Sequence, residues 1–114
     1  KDVKFTGFLF ESLATHDLRV YAQANDASVS HYSDSSGLEI DCIVQKRNGD
    51  WAAFETKLGT GMINEAASNL KKLAATLDIE KTGPPKSLNI IVGTGVSYTR
   101  PDGINIISLA SLGV

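Results

Sequence analysis

The chain has 114 residues, which is enough for one domain with its own hydrophobic core and too few for two. Its net charge is −2, which argues against a strong non-specific nucleic-acid binder because such proteins are usually basic. No apolar run approaches the roughly 20 residues that cross a bilayer, and a single cysteine, Cys42, excludes an internal disulfide and favours a reducing, cytoplasmic location.

Apolar residues recur at helical spacing in two segments and alternate or run together in the others. The buried face of the first helix is predicted to be Phe10, Leu13, Ala14, Leu18 and Tyr21. The buried face of the second helix is predicted to be Ile63, Ala66, Ala67, Leu70, Leu73, Ala74 and Leu77. In chain order the predicted elements are helix 6–24, strands 29–34, 38–46 and 50–58, helix 62–78, strands 88–92 and 104–107, and a helical turn at 108–112.

This order, α-β-β-β-α-β followed by a last short strand, predicts one α/β domain over residues 1–114. Three consecutive strands form a meander, and a helical crossover then leads to a strand at 88–92. That strand is a continuous apolar run, as expected of a strand covered on both faces. The order therefore predicts a mixed sheet with helices on its faces.

The turn between the second and third strands decides which of their side chains meet. Side chains alternate along a strand, so Asp41 and Glu55 meet only in one register. A two-residue loop at 48–49 would place Asp41 opposite Thr56 and send Glu55 to the other side of the sheet.

A three-residue loop at 47–49, ending on a glycine in the left-handed region, shifts the register by one residue. Asp41 then faces Glu55, and Glu39, on the same face as Asp41 and Ile43, faces Lys57. We favour this register because Gly49 suits the left-handed position and because opposite charges then face each other across the strands. The two inner carboxylates repel each other there, so a cation or a proton between them is expected.

Asp41, Glu55 and Lys57 interrupt strands that are otherwise typical of a protein core, where unpaired charge is costly. Two carboxylates beside an ammonium group suit a Mg²⁺-dependent phosphodiesterase. Asp41, Glu55 and the backbone carbonyl of Thr56 are the predicted ligands of Mg²⁺ or Mn²⁺, because these ions prefer oxygen. Lys57 would orient a water or stabilise developing negative charge. Glu11, on the first helix, would join the metal shell, directly or through a water.

Each of these residues also has a structural interpretation. Glu39 and Lys57 could form only a solvated cross-strand pair, and Glu11 could be an ordinary polar helix residue. His31 has no partner at metal-ligand spacing and is predicted to be a histidine on the sheet surface. Cys42 is most simply a small core residue.

Three segments carry a family resemblance: residues 7–12, residues 31–41, and residues 54–57 (Phe-Glu-Thr-Lys). Together with the order of elements, they resemble the PD-(D/E)xK, or restriction-endonuclease-like, superfamily. Within it they resemble one branch, the C-terminal domain that follows an AAA+ ATPase module in many bacterial and archaeal proteins. Thr56 departs from the Val or Ile common in such motifs, and Ile40 stands where the nominal motif has proline.

The resemblance implies a restriction-endonuclease-like core, with Asp41 and Glu55 as metal ligands, Lys57 as the catalytic lysine and Glu11 as the acidic residue of the first helix. We therefore predict a Mg²⁺-dependent nuclease domain that acts on DNA and is attached to an AAA+ ATPase. The start at Lys1 rather than Met agrees with a piece of a longer protein. The alternative is a catalytically silent module that binds nucleic acid or docks onto the ATPase and regulates it.

Overall fold

The structure is a computed structural model that describes residues 16, 18–57, 61–76, 83–93 and 96–108. Helix α1 ends at residue 24 and is described over residues 18–24. The other elements are β1 (Ala27–Ser33), β2 (Glu39–Lys46), β3 (Trp51–Lys57), α2 (Ile63–Thr76), β4 (Ser87–Val92), β5 (Tyr98–Thr99) and β6 (Asn105–Ser108).

The six described strands form one mixed sheet in the order β1-β2-β3-β4-β6-β5. β1, β2 and β3 pair antiparallel as a meander, and β4 pairs parallel with β3 after the α2 crossover. β6 is parallel to β4, and β5 closes the other edge antiparallel to β6. The predicted α/β class with a mixed sheet is confirmed.

The core lies in two apolar clusters on opposite faces of the sheet. Ile90 and Val92 of β4 pack in the cluster under α2, whereas Ile91 packs in the cluster under α1. Because side chains alternate along a strand, this division places the two helices on opposite faces. β4 is therefore covered on both faces, as its apolar run predicted.

Helix α1 turns a different face to the sheet from the one predicted. Leu18 and Ala22 are buried, whereas Tyr21 is 55% exposed, so the assignment of Tyr21 to the buried face was wrong. Positions i and i+4 lie on one side of a helix, and the sheet covers only that narrow side here. The predicted members Phe10, Leu13 and Ala14 lie outside the described residues.

Helix α2 packs as its sequence predicted. Five positions of the predicted stripe are buried, namely Ile63, Ala66, Ala67, Leu70 and Leu73. Ala74 is half-buried, and Leu77 lies outside the described residues. No helix in the described part of the chain is long and apolar enough to cross a membrane.

The β2–β3 turn adopts the three-residue form. Gln45 pairs with Trp51, and the N–H of Lys46 donates to the carbonyl of Asp50 at 2.8 Å. Gly49 has a φ of 98°, which is the left-handed region that glycine enters without strain. The predicted register, with residue 41 opposite residue 55, is confirmed.

Gly49→Ala should lower the free energy of unfolding by about 1–2 kcal/mol, because a Cβ disfavours the left-handed region. Urea denaturation followed by circular dichroism would measure the loss. Gly61→Ala is the matched control, since no left-handed φ constrains Gly61 and no atom crowds the added Cβ. Equal stability of the two variants would contradict this account of the turn.

Strand β5 was not predicted. Its two residues, Tyr98 and Thr99, are too few to show any periodicity. They pair with Ile106 and Asn105 across a turn in which Gly103 has a φ of 89°. The predicted helical turn at 108–112 falls almost wholly outside the described residues; Ser108, the one described residue, belongs to β6.

Candidate functional site

The backbone ladder between β2 and β3 ends at the pair Cys42–Phe54. At the next position, carboxylate oxygens of Asp41 and Glu55 act as the hydrogen-bond acceptors in place of backbone carbonyls. The N–H of Asp41 donates to Oε1 of Glu55 at 2.9 Å, and the N–H of Thr56 donates to Oδ2 of Asp41 at 2.9 Å. Each carboxylate thus accepts from the backbone of the opposite strand. The structure brings both predicted acidic residues to the point where the hairpin opens.

Thr56 has a contact that the sequence analysis did not predict. Its hydroxyl donates to Oδ2 of Asp41 at 3.0 Å, beside the bond from its own N–H, and its side chain is buried. Two donors on one oxygen hold the Asp41 carboxylate close to β3. A Val or Ile at this position would lack the hydroxyl bond, so the departure from the common motif has a structural consequence.

The pairing of β1 with β2 slips by one residue beside this site. Ser30 pairs with Ile43 and Tyr32 with Ile40, so two residues of β2, Asp41 and Cys42, lie opposite His31 alone. This irregularity has the form of a β-bulge, in which one strand carries an additional residue and the alternation of its side chains is interrupted. The alternation of residues along β2 predicted a regular strand without this bulge.

The slip overturns the predicted position of Glu39. Ile43 pairs with Ser30 and Glu39 pairs with Ser33, three residues further along β1, so the two β2 side chains point to opposite faces. Glu39 lies instead 3.9 Å from Nε2 of His31 and forms no ion pair with Lys57. The predicted Glu39–Lys57 pair was wrong, whereas the exposed, sheet-surface position of His31 is confirmed.

Glu55 is 2% exposed. Burial raises its pKa from 4.5 to about 7, and the negative charge of Asp41 adds to the rise. The bond from the Asp41 N–H, the positive charge of Lys57 and a hydrogen bond from the Asn69 side chain oppose it. A carboxyl group with this pKa is ready to exchange a proton near neutral pH. A bound cation would favour its ionised form.

Lys57 ends β3 and is half-buried, and its charge reaches Glu55. The amide of Asn69, on α2, helps to lower the pKa of Glu55, and Asn69 was not predicted as a site residue. Nothing in the sequence marks it, because a polar residue beside an apolar helical stripe normally faces solvent. Cys42 is buried in the cluster under α1, which confirms its interpretation as a small core residue.

The oxygen atoms at the site fit Mg²⁺ or Mn²⁺. Two carboxylates, one of them buried, lie at neighbouring strand positions beside Thr56, and Mg²⁺ binds through one or two carboxylates while keeping several waters. Within the described ranges, no group of three or more His, Cys, Asp or Glu side chains could hold a metal. Glu11 lies outside those ranges, so its place in the metal shell stays a prediction.

The described residues thus define a mixed α/β domain with two carboxylates at the open end of a β-hairpin. The chain belongs to the family described as a domain of unknown function, DUF4143, whose model matches residues 6–112. No curated protein and no solved structure matches the chain. The wider resemblance to the PD-(D/E)xK superfamily stays a prediction.

Proposed function

We propose that this domain is a Mg²⁺-dependent nuclease of the PD-(D/E)xK type that hydrolyses phosphodiester bonds in DNA. The observation that carries the proposal is the exchange of hydrogen bonds between Asp41 and the Glu55–Thr56 backbone segment, at the point where the β2–β3 ladder opens. The chain buries the carboxylate of Glu55 there, where an apolar side chain would stabilise the fold more. Such an arrangement is typical of a functional site.

In this proposal Asp41, Glu55 and the carbonyl of Thr56 hold Mg²⁺ or Mn²⁺, and Glu11 completes the set of protein ligands. When bound, the metal polarises a phosphate oxygen and lowers the pKa of a water. Lys57 places a positive charge at the end of β3, where it would stabilise negative charge developing on the phosphate. The hydroxyl of Thr56 keeps Asp41 aligned through its bond to Oδ2.

The family typically occurs in proteins that also contain an AAA ATPase. We propose that this domain is covalently attached to such an ATPase module and acts in the cytoplasm. The ATPase would then control when the nuclease reaches its DNA.

A silent module is the second candidate. In that case the domain would bind nucleic acid, or dock onto the ATPase, and regulate it without cutting. The net charge of −2 favours docking over the binding of nucleic acid. The Glu55 carboxylate accepts the N–H of Asp41 and the Asp41 carboxylate accepts the N–H of Thr56, which a structural role would also explain.

The test is incubation of the protein with supercoiled plasmid and with single-stranded DNA, in Mg²⁺, in Mn²⁺ and in chelator. The nuclease proposal predicts cutting that requires either metal and stops in chelator. The absence of cutting in both metals, by the domain and by the full-length protein with its ATPase and ATP, would favour the silent module. RNA of the same sequence, offered in parallel, identifies the preferred nucleic acid.

A further inference from the structure

Strand β1 forms one edge of the described sheet. It is 7 residues long and contains no Lys, Arg, Pro, Asp or Glu. Proteins usually protect an edge strand of this length with charge, proline or a covering element, because its outer N–H and C=O groups can pair with another chain. The register with β2 is regular over residues 27–30, before the slip at residue 31. The first half of β1 is therefore suited to accept a further strand.

A pocket of about 370 Å³ lies between α1 and β1, beside the same half of the strand. Ala27 and Val29 line it from β1, and Val20 and Ala22 line it from α1. Among the described residues no other strand contributes to the lining, so the pocket lies at the edge of the sheet. Side chains alternate along a strand, so every second side chain of an added strand would point to the face that holds the pocket.

Positive charge lies beside this pocket and this edge. Arg19 and His16 line the pocket from α1, and both are exposed, whereas no acidic residue of the described chain lines it. Lys46, which pairs with the first residue of β1, is exposed as well. Asp26, the acid that precedes β1, already contacts Arg47 at 3.0 Å. The surface around the pocket is thus locally cationic on a chain whose net charge is −2.

We propose that the β1 edge and this pocket bind an extended acidic segment of a partner protein. The segment would add a strand beside residues 27–30, where backbone hydrogen bonds give affinity and the pocket selects a side chain. A carboxylate of the segment would pair with Arg19, and its aliphatic stem would pack on Val20 and Val29. This docking site is separate from the proposed nuclease activity and does not depend on the metal site.

The same cationic surface could attract the phosphates of a nucleic acid, but two observations favour a peptide. Only a peptide backbone supplies the alternating donors and acceptors that match the outer edge of β1. The apolar part of the pocket, formed by Val20, Ala27 and Val29, suits the carbon atoms of a side chain and gives a phosphate no partner.

The test measures the fluorescence anisotropy of a labelled synthetic peptide of alternating glutamate and valine, titrated with the protein in chelator. The wild-type protein should bind it at least about tenfold more tightly than the matched peptide with lysine in place of glutamate. Arg19→Glu and Lys46→Glu should each weaken binding by about tenfold or more, because each reverses a charge beside the pocket. Lys72→Glu, an exposed lysine on α2, is the control and should bind like the wild type.

Hydrogen exchange measured by NMR tests the added strand itself. The acidic peptide should slow exchange of backbone amides within residues 27–30, because amides that faced water become hydrogen-bonded. The amides of Tyr98 and Thr99, in the strand at the opposite edge of the sheet, should exchange as before. Peptide binding that leaves the β1 amides unchanged would overturn the addition of a strand.

Three further results would overturn the proposal. The first is equal binding of the two peptides, or no binding of either, by protein that circular dichroism shows to be folded. The second is displacement of the acidic peptide by duplex DNA whose own binding is weakened by Arg19→Glu, which would assign the surface to nucleic acid. The third is a dimer in sedimentation velocity that the acidic peptide dissociates, which would make a second copy of this chain the natural occupant.

Discussion

Asp41→Asn and Lys57→Ala should each slow metal-dependent DNA cleavage by about 10²–10³-fold or more, a loss typical of removing one charge from a preorganised site. Asn keeps the shape of Asp41 and can still accept from the Thr56 N–H, so the hairpin should stay folded. It lacks the negative charge that would hold the cation. Lys57→Ala leaves both carboxylates in place and removes the ammonium group together with the aliphatic chain that carries it. Cleavage rates under single-turnover conditions would measure both losses.

The controls are matched by residue type. Asp26→Asn changes an exposed acid in the turn after α1, and Lys72→Ala changes an exposed lysine on α2. Both should cut at the wild-type rate, and circular dichroism should show all four variants folded. Wild-type cleavage by Asp41→Asn, or equal losses in the control variants, would contradict the assignment of the site.

Glu55→Gln should stabilise the metal-free protein at about pH 8 and should have little effect at about pH 4.5. In the folded state the pKa of Glu55 is raised to about 7, above its ordinary value of 4.5. Between these values the unfolded chain releases a proton that the folded protein keeps, so stability falls as pH rises through this window. Above about pH 7 the full penalty applies, on the order of 3 kcal/mol. Glutamine removes the penalty because it carries no charge.

Urea unfolding in chelator, at several values between about pH 4.5 and pH 8, would measure the effect. Glu65→Gln, at an exposed residue in the first turn of α2, is the control for the change of residue type. The stability difference between Glu55→Gln and wild type should therefore change with pH. A difference that stays constant would contradict the raised pKa of Glu55. Added Mn²⁺ should stabilise the wild-type protein more than the variant.

The fold could be predicted largely because its signals are local. The stripe of α2 has the period of a helix, and the run Leu88–Val92 marks a strand buried on both faces. The hairpin register followed from Gly49, which suits the left-handed position of a three-residue turn, and from opposite charges expected to face each other across the strands. That register was enough to predict that Asp41 and Glu55 meet.

The features that escaped prediction depend on partners distant in sequence. The slip opposite His31 is a property of two strands, and neither strand shows it alone. It moved Glu39 away from Lys57 although the turn was predicted correctly. Tyr21 has the helical spacing of the predicted buried face of α1. It is exposed because the sheet covers only a narrow side of that helix. Asn69 joins the site only through the packing of α2, which no motif records.

The measurement that tests the central claim most directly is an anomalous difference map from crystals of this domain soaked in Mn²⁺. The account predicts one Mn²⁺ ion bonded to carboxylate oxygens of both Asp41 and Glu55, and loss of that ion in crystals of the Asp41→Asn variant. Well-ordered crystals with no ion between these two carboxylates would contradict it. The crystals must be soaked at a Mn²⁺ concentration that supports cleavage or that exceeds the dissociation constants usual for such sites.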